Sequence, residues 1–334
     1  MKNFIRSAIY IAVLFFLTSW GFLVHRTVNQ LAIYQLPKKM QPFFYRNMDS
    51  IVKYSIRPDQ RRSQDPTEAP RHFIDLEVYG DSAAWKMPVS WNEAIAKYSR
   101  DTLIKYGYLP YWIMAMKEKL TNAFRSQNAD SIVFYATDIG HYIGDANVPL
   151  HTSINYDGQL TGQRGLHALW ESVIPELELD QYKFYNRHKA KYLDHPENGT
   201  WEAIRHAHVL VNDMIEKERE VSRQFTDATK YRIQNRNGRD IKLYTQAFAK
   251  AYAASLKPTI NEQLIRSSNL IADMWYTSWV DAGKPDLSVI LKTQLTRDEK
   301  KKMKNEFKAY EKEKLIKDSL LISKKITVID PANQ

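Results

Sequence analysis

Residues 131–151 read SIVFYATDIGHYIGDANVPLH, and the period of their apolar positions decides the fold class. Ile132, Val133, Ala136, Ile139 and Ile143 recur at helical spacing and so share one side of a helix. Pro149 closes the segment, because the residue before a proline is driven out of the α region. The same period continues outward in both directions. Trp112, Ile113, Met116, Leu120 and Phe124 form a stripe upstream. Leu264, Ile271, Trp275 and Trp279 form another downstream, expected to start at a capping box of Thr259 and Glu262 and to stop near Gly283 and Pro285. These stripes are core faces, and the expected class is all-α.

Composition agrees. The chain has 334 residues with only 11 Gly and 13 Pro, too little turn material for a many-stranded sandwich or a doubly wound sheet. Hydrophobic residues at 44% and charged residues at 26% exclude a disordered chain and a multi-span membrane protein. The length admits two domains or one large bundle. No repeat, Gly-Ser linker or low-complexity block divides residues 20–293, so one multi-helix domain is expected there. Nucleotide-binding glycine loops, the GxSxG elbow and HExxH are all missing. Cys is absent, which removes disulfides, thiolate nucleophiles and cysteine metal sites together. Any metal must be held by His and carboxylates.

The two ends differ from the body. Lys2 and Arg6 precede an apolar run of ten, Ala8 to Leu17, short of the ~20 residues that span a bilayer, so residues 1–19 read as an export signal cleaved before Trp20. The minority reading is an uncleaved anchor. Between Arg297 and Lys325, 11 Lys and Arg face 6 Asp and Glu, so the tail carries +5 of the formal +10. Residues 294–334 are expected to form a charged helical tail lying on the body or fraying from it, with membrane-surface or nucleic-acid attachment as the lesser alternative.

The chemistry concentrates between His141 and Glu171. His141 and Asp145 are four apart on the expected helix, so both side chains leave one face a turn apart, and His167 and Glu171 repeat the spacing beyond a Gly-rich loop. One such pair is ordinarily a surface ion pair. Two pairs with His151 between them can converge into the imidazole and carboxylate set that zinc accepts when no thiolate exists. Asp59 in SIRPDQRR, His72 in APRHFIDLE, and Trp20 with His25 in WGFLVHR stand upstream; each alone has a structural reading.

In this order the residues resemble the zinc-dependent phospholipase C proteins and the single-strand-specific zinc nucleases. The match is a Trp followed by His, then an Asp, an HF-D element, H-x3-D-x5-H and H-x3-[ED], and it covers most of residues 20–172. The resemblance implies an all-α fold holding three zinc ions. Asp59, His72, His141 and Asp145 would hold one; His151, His167 and Glu171 a second; the amine and carbonyl of Trp20, His25 and the other oxygen of Asp145 a third. The last set requires export cleavage, since a free amine has a lone pair that a peptide nitrogen lacks.

The implied enzyme is a phosphodiesterase in which metal-activated water attacks phosphorus in line, with Asp59 also orienting the nucleophile. Arg62 matches a D-x-x-R arrangement that neutralises phosphoryl charge, with Arg61 as its rival. Phe73 and Asp75 match the nuclease HFID, where the ring stacks on a base and the carboxylate accepts from its exocyclic amine. Glu171 departs towards the phospholipase branch. The leading expectation is therefore phospholipase C-type hydrolysis of a phosphodiester, with single-strand nuclease activity as the alternative. From another class comes a non-catalytic, zinc-stabilised, membrane-tethered binding protein. No protein partner is expected.

Overall fold

The computed structural model describes residues 21–236, 238–291 and 293–329. Trp20 and the expected signal at 1–19 lie outside the described residues. The elements that place the site are helices α1 (Phe22–Gln35), α2 (Leu109–Arg125), α3 (Ala129–Ala146), α4 (Pro196–Ser222), α5 (Gln246–Leu256), α6 (Thr259–Asp281), α7 (Arg297–Glu311) and α8 (Ile322–Ile329). Shorter helical turns connect them.

The quoted stretch is helical for the reasons its sequence gives. The Asn128 side chain caps α3 by accepting from the Ser131 amide, and the helix ends at Ala146 ahead of Val148 and Pro149. Its stripe is buried, with Val133 only partly so, against α2 and α6, where Ile113, Leu120, Phe124, Ile271 and Trp275 are also enclosed, and Trp275 Nε1 donates to Ala136 O at 2.9 Å. Truncating Trp275 to Ala would cost about 3–5 kcal/mol by cavity formation. The start of α6 departs from expectation. Thr259 is its first residue, not its cap, and its hydroxyl donates to Leu256 O at 2.7 Å, so no capping box forms. The stop near Gly283 is as read, with that glycine at φ 89°.

A second, smaller core gathers Leu150, Leu166, Trp170, Met214, Phe248 and Tyr252. Beside it lies a hairpin, Tyr231–Arg236 paired antiparallel with Arg239–Tyr244, the one sheet among the described residues. The all-α reading did not include it. Its signal was an Asn-Gly pair at 237–238, a strong short-range hairpin mark. Glu218 fastens it, accepting from Tyr244 Oη at 2.9 Å and Lys230 Nζ at 2.7 Å.

The charged tail lies on the body. Glu306 of α7 accepts from Tyr34 Oη at 2.6 Å and Tyr45 Oη at 3.0 Å, and Tyr310 stacks on Tyr34 with ring centroids 5.0 Å apart. Further on, the Ile322 amide donates to Gln30 Oε1 at 2.8 Å and Ser323 pairs with Thr27 at 2.8 Å. Lys300, Lys301, Lys302, Lys304 and Lys308 stay exposed. Beyond 293/294, Tyr310 and Leu315 share the main core. No helix among the described residues is long and apolar enough to cross a membrane.

Candidate metal centre

The site forms on the seam between the two cores. Helix α3 delivers His141 and Asp145 at its C-terminal end; the turn Pro149–Thr152 delivers His151; the short helix Arg57–Arg61 delivers Asp59; His72 follows the turn Ala69–Arg71. His167 and Glu171 lie on Leu166–Ala168 and the widened π turn Leu169–Val173, so their four-residue spacing survives in an irregular helix.

His25 arrives on α1, and two glycines make that approach possible. A Cβ on Gly140 would fall 2.0 Å from Asn29 Oδ1, and one on Gly144 would fall 2.8 Å from His25 Nδ1. Being one turn apart on α3, they let the two helices touch and stack the His25 ring on His141 with centroids 3.9 Å apart.

Three donor sets result: Asp59, His72 and His141; His25, His141 and Asp145; and His151, His167 and Glu171. Asp145 joins the first two. Its Oδ2 lies 2.9 Å from His72 Nδ1 and 3.4 Å from His141 Nε2, while its Oδ1 lies 3.4 Å from His25 Nε2. Asp59 Oδ1 stands 3.7 Å from both His72 Nδ1 and His141 Nε2, which are themselves 3.2 Å apart. Glu171 is placed similarly, with Oε2 2.7 Å from His167 Nε2 and 3.7 Å from His151 Nε2, and Oε1 3.4 Å from His25 Nε2.

These spacings and ring orientations fit a cation. Tetrahedral zinc with bonds of about 2.0–2.1 Å needs its ligand atoms about 3.3 Å apart, which is the spacing of Asp59, His72, His141 and Asp145. His141, His151 and His167 each direct Nδ1 at a backbone carbonyl, of Ser55 at 2.8 Å, His72 at 2.5 Å and Tyr156 at 2.8 Å. With Nδ1–H given to those carbonyls, each Nε2 is left facing carboxylate oxygens, where either a proton or a metal cation supplies the positive charge between them.

The titration of the metal-free groups reports the same crowding. Burial alone would lower the His72 imidazole, but Asp145 and Glu68 beside it outweigh this and raise it to about 9. His141, buried next to His25, is pushed well below its ordinary value. Burial would raise Asp145 and Glu171, yet the surrounding imidazoles hold both below the usual carboxylate range. Asp59 is raised by burial.

The remaining expected residues sort clearly. Arg61 is committed elsewhere, its guanidinium 2.8 Å from Asp138 Oδ2 and 3.4 Å from Glu68 Oε1. Arg62 is exposed and, among the described residues, its one ion pair is with Asp59, at 3.8 Å. Phe73 is half-buried. Asp75 is buried, and among the described residues no hydrogen bond or ion pair reaches its carboxylate. His188, His195 and His208 serve other contacts, with Asp273, Glu197 and Thr152. Sequence reading missed Glu68, whose E-x3-H spacing to His72 was the available signal, and it missed the two glycines of α3.

The S1/P1 nuclease family model matches residues 20–276. The chain belongs to the S1/P1 nuclease family. It is accordingly a zinc-dependent phosphodiesterase of the all-α phospholipase C and nuclease type. The family favours the nuclease alternative over the phospholipase C reading that led the sequence analysis. No curated protein matches the chain.

Proposed function

We propose that this S1/P1 family member is a nuclease acting on single-stranded nucleic acid with three zinc ions, exported and cleaved before Trp20. The observation that carries the reading is Asp145, which turns one oxygen to His25 and the other to His72 and His141 and so links two donor sets. His151, His167 and Glu171 provide the third set. Gly21, whose amide donates to Ser172 Oγ at 2.6 Å, packs so closely on Glu171 that a Cβ would fall 2.4 Å from Oε1. That placement supports a mature terminus beginning one residue earlier.

Bound zinc would acidify a water towards neutral pH and draw charge from the phosphoryl oxygens. The chain's own groups do the rest. Asp59, with its oxygen between His72 and His141, orients the attacking water. Arg62, exposed beside Asp59, meets the phosphoryl oxygens. Phe73 stacks on a base, which needs an unpaired strand, and the unpartnered Asp75 carboxylate accepts from an exocyclic amine. A phospholipid headgroup offers no ring to stack and no amine donor of that kind.

The test compares purified mature protein on single-stranded nucleic acid and on phosphatidylcholine, with and without chelator. Cleavage of the nucleic acid, lost with chelator and restored by zinc, is expected. Turnover of phosphatidylcholine alone would overturn the substrate assignment, and an active chain retaining Met1 would overturn the processing.

A further inference from the structure

The histidines around the nest do not all face it the same way. His141, His151 and His167 give Nδ1–H to carbonyls and present Nε2. His72 is reversed: Nδ1 points inward, 2.9 Å from Asp145 Oδ2, and Nε2 points outward, 3.4 Å from Glu68 Oε1. Among the described residues no hydrogen-bond acceptor is aligned with that outward nitrogen, and Glu68 is the carboxylate beside it, at ion-pair distance. Glu68 is a fully buried acid that neither the motif set nor the proposed mechanism uses.

A buried carboxylate is costly unless compensated. Glu68 is compensated by Arg71 at 2.5 Å, Arg61 at 3.4 Å and the Tyr142 hydroxyl, so it can remain ionised beside His72. Arg61 is held in turn by Asp138 at 2.8 Å, and the Arg71 guanidinium lies over the Trp112 ring at 4.3 Å. The anion is therefore fixed in place from several sides.

We infer that Glu68 is a positioning residue: it holds His72 with the proton on Nε2, leaving the Nδ1 lone pair for a metal ion among Asp59, His141 and Asp145. A carboxylate at the far nitrogen sets the tautomer, fixes the ring plane and makes the inward nitrogen a stronger donor. The inference rests on reading the nest as a zinc site.

Two measurements test it. In the zinc-loaded protein, long-range nitrogen-15 spectra of the imidazoles are expected to show His72 protonated at Nε2, and His141, His151 and His167 at Nδ1. A His72 proton on Nδ1 would overturn the inference, and this readout needs no variant. Second, Glu68→Gln keeps the side-chain size but removes the charge, and zinc affinity by chelator competition is expected to fall about 10- to 100-fold. Asp65→Asn removes a carboxylate of the same segment whose contacts are with Thr67 and Arg71 and not with Glu68 or His72, so its zinc affinity should match the parent. Unchanged affinity in Glu68→Gln, or an equal fall in Asp65→Asn, would contradict the positioning role. Parent protein that binds no zinc would instead defeat the nuclease reading itself.

Discussion

Asp75 offers a stability measurement that bears directly on substrate recognition. Its carboxyl is raised from 3.8 to about 6, first by burial and then by the negative charge of Glu77. Below pH 3.8 both the folded and unfolded chains carry it protonated, and it costs nothing. As pH rises through the folded value, the folded state must ionise a carboxylate that the unfolded chain ionises more easily. A shift of about 2 units at about 1.4 kcal/mol per unit gives an upper bound near 3 kcal/mol. Screening at the solvent edge of the carboxylate reduces this to about 1–3 kcal/mol. Asp75→Asn should therefore melt about 2–5 °C above the parent at pH 7.5 and level with it at pH 4. Parent and variant are compared at equal zinc, so the metal contribution cancels, Asp75 being no ligand. The same variant should lose about 10- to 100-fold in kcat/KM on single-stranded nucleic acid, the worth of a hydrogen bond to a charged group. A melting difference independent of pH, or a destabilised variant, would refute the argument that Asp75 is held unpartnered at a cost.

Other perturbations separate the parts of the site. Asp145→Asn should remove zinc from two donor sets and lower hydrolysis about a thousandfold or more while circular dichroism stays helical; retained turnover would remove its linking role. Arg62→Met should lower kcat about 100- to 1000-fold without moving Tm, because the side chain is exposed, and an unchanged kcat would dismiss it. Gly144→Ala should destabilise by about 1–3 kcal/mol and weaken zinc binding, since a Cβ would displace His25; calorimetry and zinc titration check both. For the metal-free protein, the His72 shift from 6.5 to about 9 contributes stability that is full below pH 6.5 and lost as pH rises through about 9. Zinc must displace that proton, so zinc affinity should rise about tenfold per pH unit over the same interval, the opposite slope.

The sequence carried the fold wherever burial follows one period. The stripes of α2, α3 and α6 were legible because each has a single face to hide, as Ile139 and Trp275 show by full enclosure. The hairpin at 231–244 was obscured because Arg232, Asn235, Asp240 and Lys242 leave little apolar alternation, and Glu218 and Tyr244 hold it through tertiary contacts. Among site residues, the four-residue pairs could be read from helix geometry. The convergence of Asp59, His72 and His25 with them could not, because it depends on how α1 and the turns near residue 70 cross α3. Arg61 and Arg62 show the limit most plainly. Adjacent and identical in type, they differ only in what surrounds them: one is tied to Asp138 and Glu68, the other open to solvent.

A ligand set drawn from separate segments depends on how each segment is anchored, and His25 is a case in which packing does most of the holding. Its helix has no covalent tie to the rest of the nest except through the chain, and its Nδ1 meets no hydrogen-bond partner among the described residues. Packing must hold the ring instead. Gly140 and Gly144 admit α1 against α3 on one side, and on the other the tail grips Thr27, Gln30 and Tyr34 through Ser323, Ile322 and Glu306. The family match ends at residue 276, within α6, so these tail contacts come from beyond the matched region. These contacts run along successive turns of the helix that presents His25 to Asp145. The α7 lysines thus face solvent while hydrogen bonds from the other side of the tail fasten the helix that carries His25.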